Sequence, residues 1–341
     1  MRIRIDLIGK IYALLSMERI EQALIEAKVF AERNKLREIY TEPGFIIFEG
    51  EAVENLIELD RLALIKDLGE ILFAIEDIRD LDEFYRSLRL LSERKPLQGD
   101  IYIRSLREKK LKPDPLKVKE ILGGGSINVD GEKRSREKIS IIIGDLMIVG
   151  RSIYRRKISL WKSPERNGSA TMKVIDTRFM GGLIPSEAML VYDPFAGGGY
   201  LIYEACRSNF RIMASDINLE KILMCRTLLE SNSCEDYDLF IADAFRIPIR
   251  ENAVDVILSD LPYGRRSKFI GGSTLTALES LFRELFRILR SGGAFITAIS
   301  HDQWVVFRES LDLKKIRYLS LQFVHGSLHR VYVYLEKKEN I

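Results

Sequence analysis

The stretch MLVYDPFAGGGYLIYEA, residues 189–205, runs from a short apolar segment into an acid, a proline and three consecutive glycines. A helical pattern follows. Met189–Tyr192 reads as a buried strand that ends on Asp193. Gly197, Gly198 and Gly199 let the chain turn tightly, and a ligand can approach the backbone there without meeting a Cβ. Strand, glycine turn and helix, in that order, are the ligand-binding corner of an open α/β sheet. The spacing is not G-x-G-x-x-G, and no Lys-Ser/Thr pair follows. A plain dinucleotide or triphosphate site is therefore disfavoured.

Four more short apolar runs follow: RIMASD, DLFIAD, VDVILSD and AFITAIS. Helical patterns occupy 199–208, 219–231 and 274–289 between them. Strands alternating with helices predict a mostly parallel sheet covered on both faces. The stretch LSLQFVHGSLHRVYVYLEKK predicts an antiparallel hairpin around His325-Gly326-Ser327 at the end of that sheet. Four of the five runs end on an aspartate: Asp193, Asp216, Asp243 and Asp260. A strand terminator or helix cap explains any one of them. Four acids at one rim are costly unless a ligand uses them. Asp216 lies nineteen residues after Gly197, where an acid can accept hydrogen bonds from both hydroxyls of a ribose. Asp243-Ala244 is placed to meet an adenine edge. The ligand implied has a ribose and an adenine but no phosphate.

The N-terminal half reads as mixed α and β. Residues 18–34 space Ile20, Ala23, Leu24, Ala27 and Ala31 as a helix does. Residues 44–50 and 99–106 predict strands, 52–75 a helical pattern, and 138–150 two strands turning at Gly144-Asp145. PLKVKEILGGGSINVD predicts a helix ended by Gly123-Gly124-Gly125, then a short strand. Residues 155–180, with Pro, Asn-Gly and Ser, read as a basic connector. The predicted division is 1–154, a linker over 155–180, and 181–341.

Net charge is +3 over 341 residues, unevenly spread: −8 over 1–85, +12 over 86–178 and −1 over 179–341. A basic block in a near-neutral chain fits a polyanion partner. No apolar run approaches the ~18–20 residues of a membrane span, and the N-terminus does not read as a signal peptide. Cys206, Cys225 and Cys234 have no metal-ligand spacing, and no metal is expected. Cys206 and Cys225 fall in helical patterns and read as buried free thiols, which suits a reducing cytoplasm. His301, His325 and His329 form no general-base constellation with a Ser or Cys.

DPFAGGG resembles the first motif of the class I S-adenosylmethionine-dependent methyltransferases, and Asp216 and Asp243 resemble their ribose and adenine acids. Asp260-Leu261-Pro262-Tyr263 resembles the (D/N)-P-P-(Y/F) motif of enzymes that methylate exocyclic amines in nucleic acids, with Leu261 where a proline is usual. The N-terminal half resembles a THUMP domain with a preceding ferredoxin-like segment. Together with GSLHRVYV near the end, the chain resembles the archaeal tRNA guanosine-10 N2-methyltransferases and their eukaryotic relatives. It departs from them in KSPERNGSATMKV, where a proline- and histidine-containing basic segment is expected.

The resemblance implies a Rossmann-like methyltransferase domain with a seven-stranded sheet, joined to an α+β RNA-binding region. It implies S-adenosylmethionine as cofactor and tRNA as partner, a cytoplasmic monomer, and one or two methyl groups placed on guanosine N2. The cofactor residues implied are Asp193, Phe195, Ala196, Gly197, Gly199, Asp216, Ile217, Asp243 and Ala244. Asp260 and the Leu261 carbonyl would each hold an N–H of the target amine. Pro262 would stiffen the loop, and Tyr263 would stack on a flipped base. RNA contacts fall to Arg104, Arg107, Lys109, Lys110, Lys133, Arg134 and Arg136, and to Arg265 and Arg266 beside the loop. Ribosomal RNA guanine or DNA adenine are alternative targets. A tRNA-binding protein with an inactive methyltransferase domain is the alternative of another class.

Overall fold

The computed structural model describes residues 2–76, 80–94, 100–106, 113–122, 138–157, 172–262, 274–310, 316–325 and 328–337. Two compact units divide the chain: Met1–Asp60 with Leu64–Ser159, and Arg61–Ala63 with Leu160–Ile341.

The first unit contains β1 (Arg2–Ile3), β2 (Ile11–Leu15), α1 (Ile20–Arg33), β3 (Arg37–Glu42), β4 (Phe45–Glu49), β5 (Ile65–Glu76), α2 (Leu81–Arg94), β6 (Asp100–Ser105), α3 (Pro115–Ile121), β7 (Lys138–Ile143) and β8 (Leu146–Arg155). One sheet runs β3-β4-β2-β5-β8-β7-β6, with β1 also paired to β5. The helix over 52–75 is a correction. That stretch holds single 3-10 turns at Val53–Asn55 and Leu59–Arg61 and then the long strand β5. β5 is central, and Leu68, Ile71, Phe73, Ala74 and Ile75 are all buried. A strand buried on both faces loses its alternation, so its apolar residues can mimic a helical spacing. Gly69 was the contrary signal: a Cβ there would collide with the Arg151 carbonyl of β8. The short strand expected after Gly123-Gly124-Gly125 lies outside the described residues.

The second unit contains α4 (Val174–Gly182), β9 (Leu190–Asp193), α5 (Ile202–Arg207), β10 (Arg211–Asp216), α6 (Leu219–Ser231), β11 (Tyr237–Ile241), β12 (Val254–Asp260), α7 (Thr274–Ile288), β13 (Leu289–Ser300), α8 (His301–Ser310), β14 (Ile316–His325) and β15 (Leu328–Glu336). The sheet order is β11-β10-β9-β12-β13-β15-β14. The first five strands are parallel, and β15 runs antiparallel to both neighbours. This is the predicted parallel sheet with its terminal hairpin. The order reverses at β9, so the switch point of the sheet, where ligands bind in such folds, lies between β9 and β12.

Three sequence readings change in this unit. Residues 174–180, read as connector, belong to α4, whose Phe179 is buried edge-on against Tyr332 of β15. The helix is too short, and too close to the irregular basic run, to announce itself by periodicity. Asp243 lies two residues beyond the end of β11 rather than on it. Cys206 is not a free thiol: it is bonded to Cys234, Cα to Cα 5.9 Å, across 28 residues of chain. Helical spacing places Cys206 but says nothing of its partner. Cys225 is free and buried, as read. Closing a loop of this length restricts the unfolded chain by about 3–4 kcal/mol. Cys234→Ser, or reduction of the parent, is expected to lower the urea midpoint correspondingly. Equal midpoints with and without reductant would refute a stabilising bond.

Candidate functional site

The loop after β9 is organised by two carboxylates. Asp193 is 2% exposed. Its Oδ1 accepts the Phe195 amide at 3.0 Å and the Ser259 hydroxyl of β12 at 2.8 Å. The Ala196 amide donates to the Ser215 carbonyl of β10. The Gly197 amide donates to Asp216 Oδ2 at 3.0 Å, and the Asn218 amide to Asp216 Oδ1 at 2.9 Å. Asp216 therefore pins the glycine turn to the entry of α6, whose N-cap is Asn218.

Two glycines are required here. Gly197 has φ +50 and Gly199 φ +83. A Cβ on Gly199 would lie 2.7 Å from Cys225 Sγ, whereas one on Gly197 would meet only the Phe195 carbonyl, at 3.9 Å. Gly199 thus permits close packing on α6, and Gly197 leaves backbone accessible to a ligand. Burial pushes the Cys225 thiol up to about 12, helped by the charges of Asp193 and Asp216.

The neighbouring strand completes the rim. The Ala242 amide donates to the Asp216 carbonyl at 3.3 Å. Asp243 is exposed, with Oδ1 accepting the Phe245 amide, while Ala244 is buried. Ile217 is 71% exposed, an apolar face beside the acids. The structure therefore brings Asp193, Phe195, Ala196, Gly197, Gly199 and Asp216 into one bonded loop. Ile217, Asp243 and Ala244 lie on the same carboxyl-end rim of β9, β10 and β11.

β12 ends at Asp260, whose side chain is 24% exposed. Leu261 is buried among Tyr192, Phe295 and Ile299, and its amide donates to the Ala298 carbonyl at 3.0 Å. The Pro262 carbonyl accepts Gln303 Nε2 at 2.7 Å. Gln303 was missed in the sequence. It is 6% exposed and closes a capping box at the start of α8. Its Oε1 accepts the Ser300 amide, and its own amide donates to Ser300 Oγ. Ser-x-x-Gln at 300–303 was the available signal. Tyr263, Arg265 and Arg266 lie outside the described residues, as do Arg107, Lys109, Lys110, Lys133, Arg134 and Arg136. Arg104 is exposed on β6.

Burial raises the Asp193 carboxyl to about 7, and the charges of Asp260 and Asp216 push the same way. At this rim, then, one acid readily holds a proton near neutrality while others face outward. The arrangement offers peptide groups, an apolar surface and acceptor oxygens, which suits a nucleoside without phosphates. Among the described residues no cluster of His, Cys, Asp and Glu could hold a metal, and no helix is long and apolar enough to cross a membrane.

A family model described as "Methyltransferase domain" matches residues 185–320. The chain is 29% identical over 116 residues to the U6 snRNA (guanine-N(2))-methyltransferase THUMPD2 of Mus musculus, covering 33% of this chain and 21% of that protein. The match thus spans about a fifth of that relative's length. It is 24% identical over 332 residues to the tRNA (guanine(10)-N2)-dimethyltransferase of Pyrococcus abyssi, covering 93% of this chain and 97% of that one. TrmN from Thermus thermophilus is similar in structure with a TM-score of 0.60 at 17% identity, covering 96% of this chain and 99% of that chain. That likeness establishes the fold alone: the second unit has the Rossmann-like α/β architecture.

The Asp193 carboxyl titrates about 7 in the fold against 3.8 for a free aspartate. The fold favours its protonated form, so this group's contribution is fully present below pH 3.8 and is lost as pH rises through about 7. In a pH series of urea unfolding, the parent should lose stability over that window relative to Asp193→Asn. Parallel curves would contradict the assignment. Gln303→Ala removes half a capping box and leaves the half-buried Pro262 carbonyl without this donor. It should cost about 1–3 kcal/mol of unfolding free energy. A loss below about 0.5 kcal/mol, within the range of an ordinary surface substitution, would show that the clamp is idle.

Proposed function

We propose that the chain transfers a methyl group from S-adenosylmethionine to the exocyclic N2 of a guanosine in tRNA, with position 10 as the target. One observation carries this reading. Asp260 presents a partly exposed carboxylate at the end of β12, the strand that neighbours β9 and its glycine loop. An acceptor beside a nucleoside pocket, on a loop clamped by strand pairing and Gln303, is what a weakly nucleophilic amine needs.

The residues present fit the cofactor. A carboxylate has about four acceptor sites, and Asp216 commits two of them to the Gly197 and Asn218 amides. One site per oxygen remains for two ribose hydroxyls. Asp243 uses Oδ1 on the Phe245 amide, which leaves Oδ2 for an adenine N6–H. Ile217 supplies an apolar face for the adenine ring, and the partly exposed backbone at Gly197 admits the rest. When bound, S-adenosylmethionine supplies an electrophilic sulfonium methyl.

The chain's own work is orientation. Asp260 and the Leu261 carbonyl each accept an N–H of the guanine N2 amine, which directs its lone pair. Asp260 then stabilises the positive charge that develops on nitrogen. Tyr263 stacks on the flipped base in this reading. The N-terminal unit, with the +12 block of 86–178, binds the tRNA body as a THUMP-like module. The guanine-N2 activities in the names of the two relatives support the choice of amine. The Pyrococcus protein's near-complete overlap supports tRNA.

The test is single-turnover transfer from labelled cofactor to unmodified tRNA, with duplex DNA as control and nucleoside mass spectrometry as readout. N2-methylguanosine in tRNA is expected. Methyladenine in DNA would replace the substrate, and cofactor binding without transfer to any nucleic acid would leave a binding protein. Asp216→Ala should lose cofactor affinity in calorimetry. Asp260→Ala should keep both ligands and lose about 10²–10³ in rate. Near-parental turnover in Asp260→Ala would reduce DLPY to a turn.

A further inference from the structure

Arg330 is a buried cation on the terminal hairpin. It lies on β15 and is 6% exposed, with the buried Val331 and Val333 farther along the strand. In register it stands opposite Ser300 of β13 and Gln322 of β14. Its guanidinium sits between two carboxylates. Nη1 is 3.7 Å from Asp176 Oδ2, in the first turn of α4, and Nη2 is 4.0 Å from Asp260 Oδ2. Asp176 is 1% exposed.

A guanidinium stays charged at any pH the protein meets, and burying it is costly unless it is paired. Asp176 by itself is enough to balance that charge. The second pair reaches across the sheet to the one carboxylate of the two that faces solvent. Asp193 on β9 lies close enough to Asp260 to feel its charge. A cation facing a carboxylate at that place counters any loss of its charge and any drift of its direction. Arg330 opposes both tendencies from the Oδ2 side.

We infer that Arg330, held from behind by Asp176, is a positioning residue that fixes the charge and direction of the Asp260 carboxylate toward the substrate amine. The inference rests on Asp260 being the amine acceptor proposed above. Arg330 itself touches neither substrate nor cofactor. It acts through Asp260 alone, and that is what distinguishes it from a merely structural ion pair.

The experiment is a double-mutant cycle in the full chain. Arg330→Met, Arg330→Lys and Asp176→Asn are each made in the parent and in Asp260→Ala. Single-turnover transfer to tRNA and cofactor Kd by calorimetry are measured, with thermal unfolding as the check on folding. In the parent, Arg330→Met should lower the rate about ten- to hundredfold with Kd unchanged. Arg330→Lys, which keeps the charge, should recover part of the loss. In Asp260→Ala, none of the three should lower the rate further. A parental rate in Arg330→Met, or losses that multiply with Asp260→Ala, would overturn the inference. Should Arg330→Met fail to fold, Arg330→Lys and Asp176→Asn carry the same cycle: smaller losses that vanish in Asp260→Ala support it, and losses that persist there refute it. If Asp260→Ala itself turns over like the parent, the reading of DLPY falls and the role of Arg330 with it. If Asp260→Ala is inactive and Arg330→Met is not impaired, only the role of Arg330 falls.

Discussion

The hydrogen bond from Ser259 to Asp193 ties together the parts that must stay together. Asp193 ends β9 and opens the glycine loop, while Ser259 precedes Asp260 at the end of β12. These strands flank the switch point of the sheet. In the function proposed, a nucleoside pocket on one side and an amine acceptor on the other can cooperate only if their separation is fixed to a fraction of an ångström. A buried hydrogen bond to a carboxyl group, away from competing water, serves that end better than a surface contact. Thr297 extends the restraint to β13 by donating to the Ser259 carbonyl at 3.0 Å.

Leu261 shows how rigidity can come from somewhere other than a proline ring. A proline at that position would fix φ and give up an amide. Leucine keeps the amide and uses it on the Ala298 carbonyl, and its side chain is sealed in the core. One residue on, the Gln303 side chain holds the Pro262 carbonyl. The capping box that starts α8 thus also anchors the loop after β12. A substitution that looks like a weakened motif in one dimension is compensated by contacts from residues about forty positions away.

What the sequence made legible follows the same division between local and distant causes. The five parallel strands, the glycine turn and Asp216 were readable because each is set by a short pattern: an apolar run, a φ only glycine tolerates, an acid at a strand tip. The readings that failed depended on neighbours. β5 is a strand because β2 and β8 pair with both its edges, and nothing in its own spacing says so. α4 is held by Phe179 packing on Tyr332, a residue of the last strand. The Cys206–Cys234 bond and the partners of Arg330 are properties of the folded chain. Asp243 was placed at a strand end two residues too far on, because the strand before it stops at Ile241, and pairing rather than hydropathy ends a strand.

Four aspartates at one rim looked like a cost that only a ligand could justify, and the structure shows four different ways of bearing it. Asp193 is buried so deeply that it can hold a proton near neutrality. Asp216 accepts two peptide N–H groups, which stabilise negative charge without cancelling it. Asp260 has a guanidinium at its back. Asp243 faces water, with one amide for company. The four carboxyl groups share a location but not an electrostatic setting. Each setting fits a different role, whether neutral scaffold, fixed pair of acceptors, charged acceptor aimed outward, or loosely held edge. Had all four been solvated alike, they would repel one another and none would have a defined direction. Burial, backbone and one distant arginine make the members of a rim of identical residues unequal.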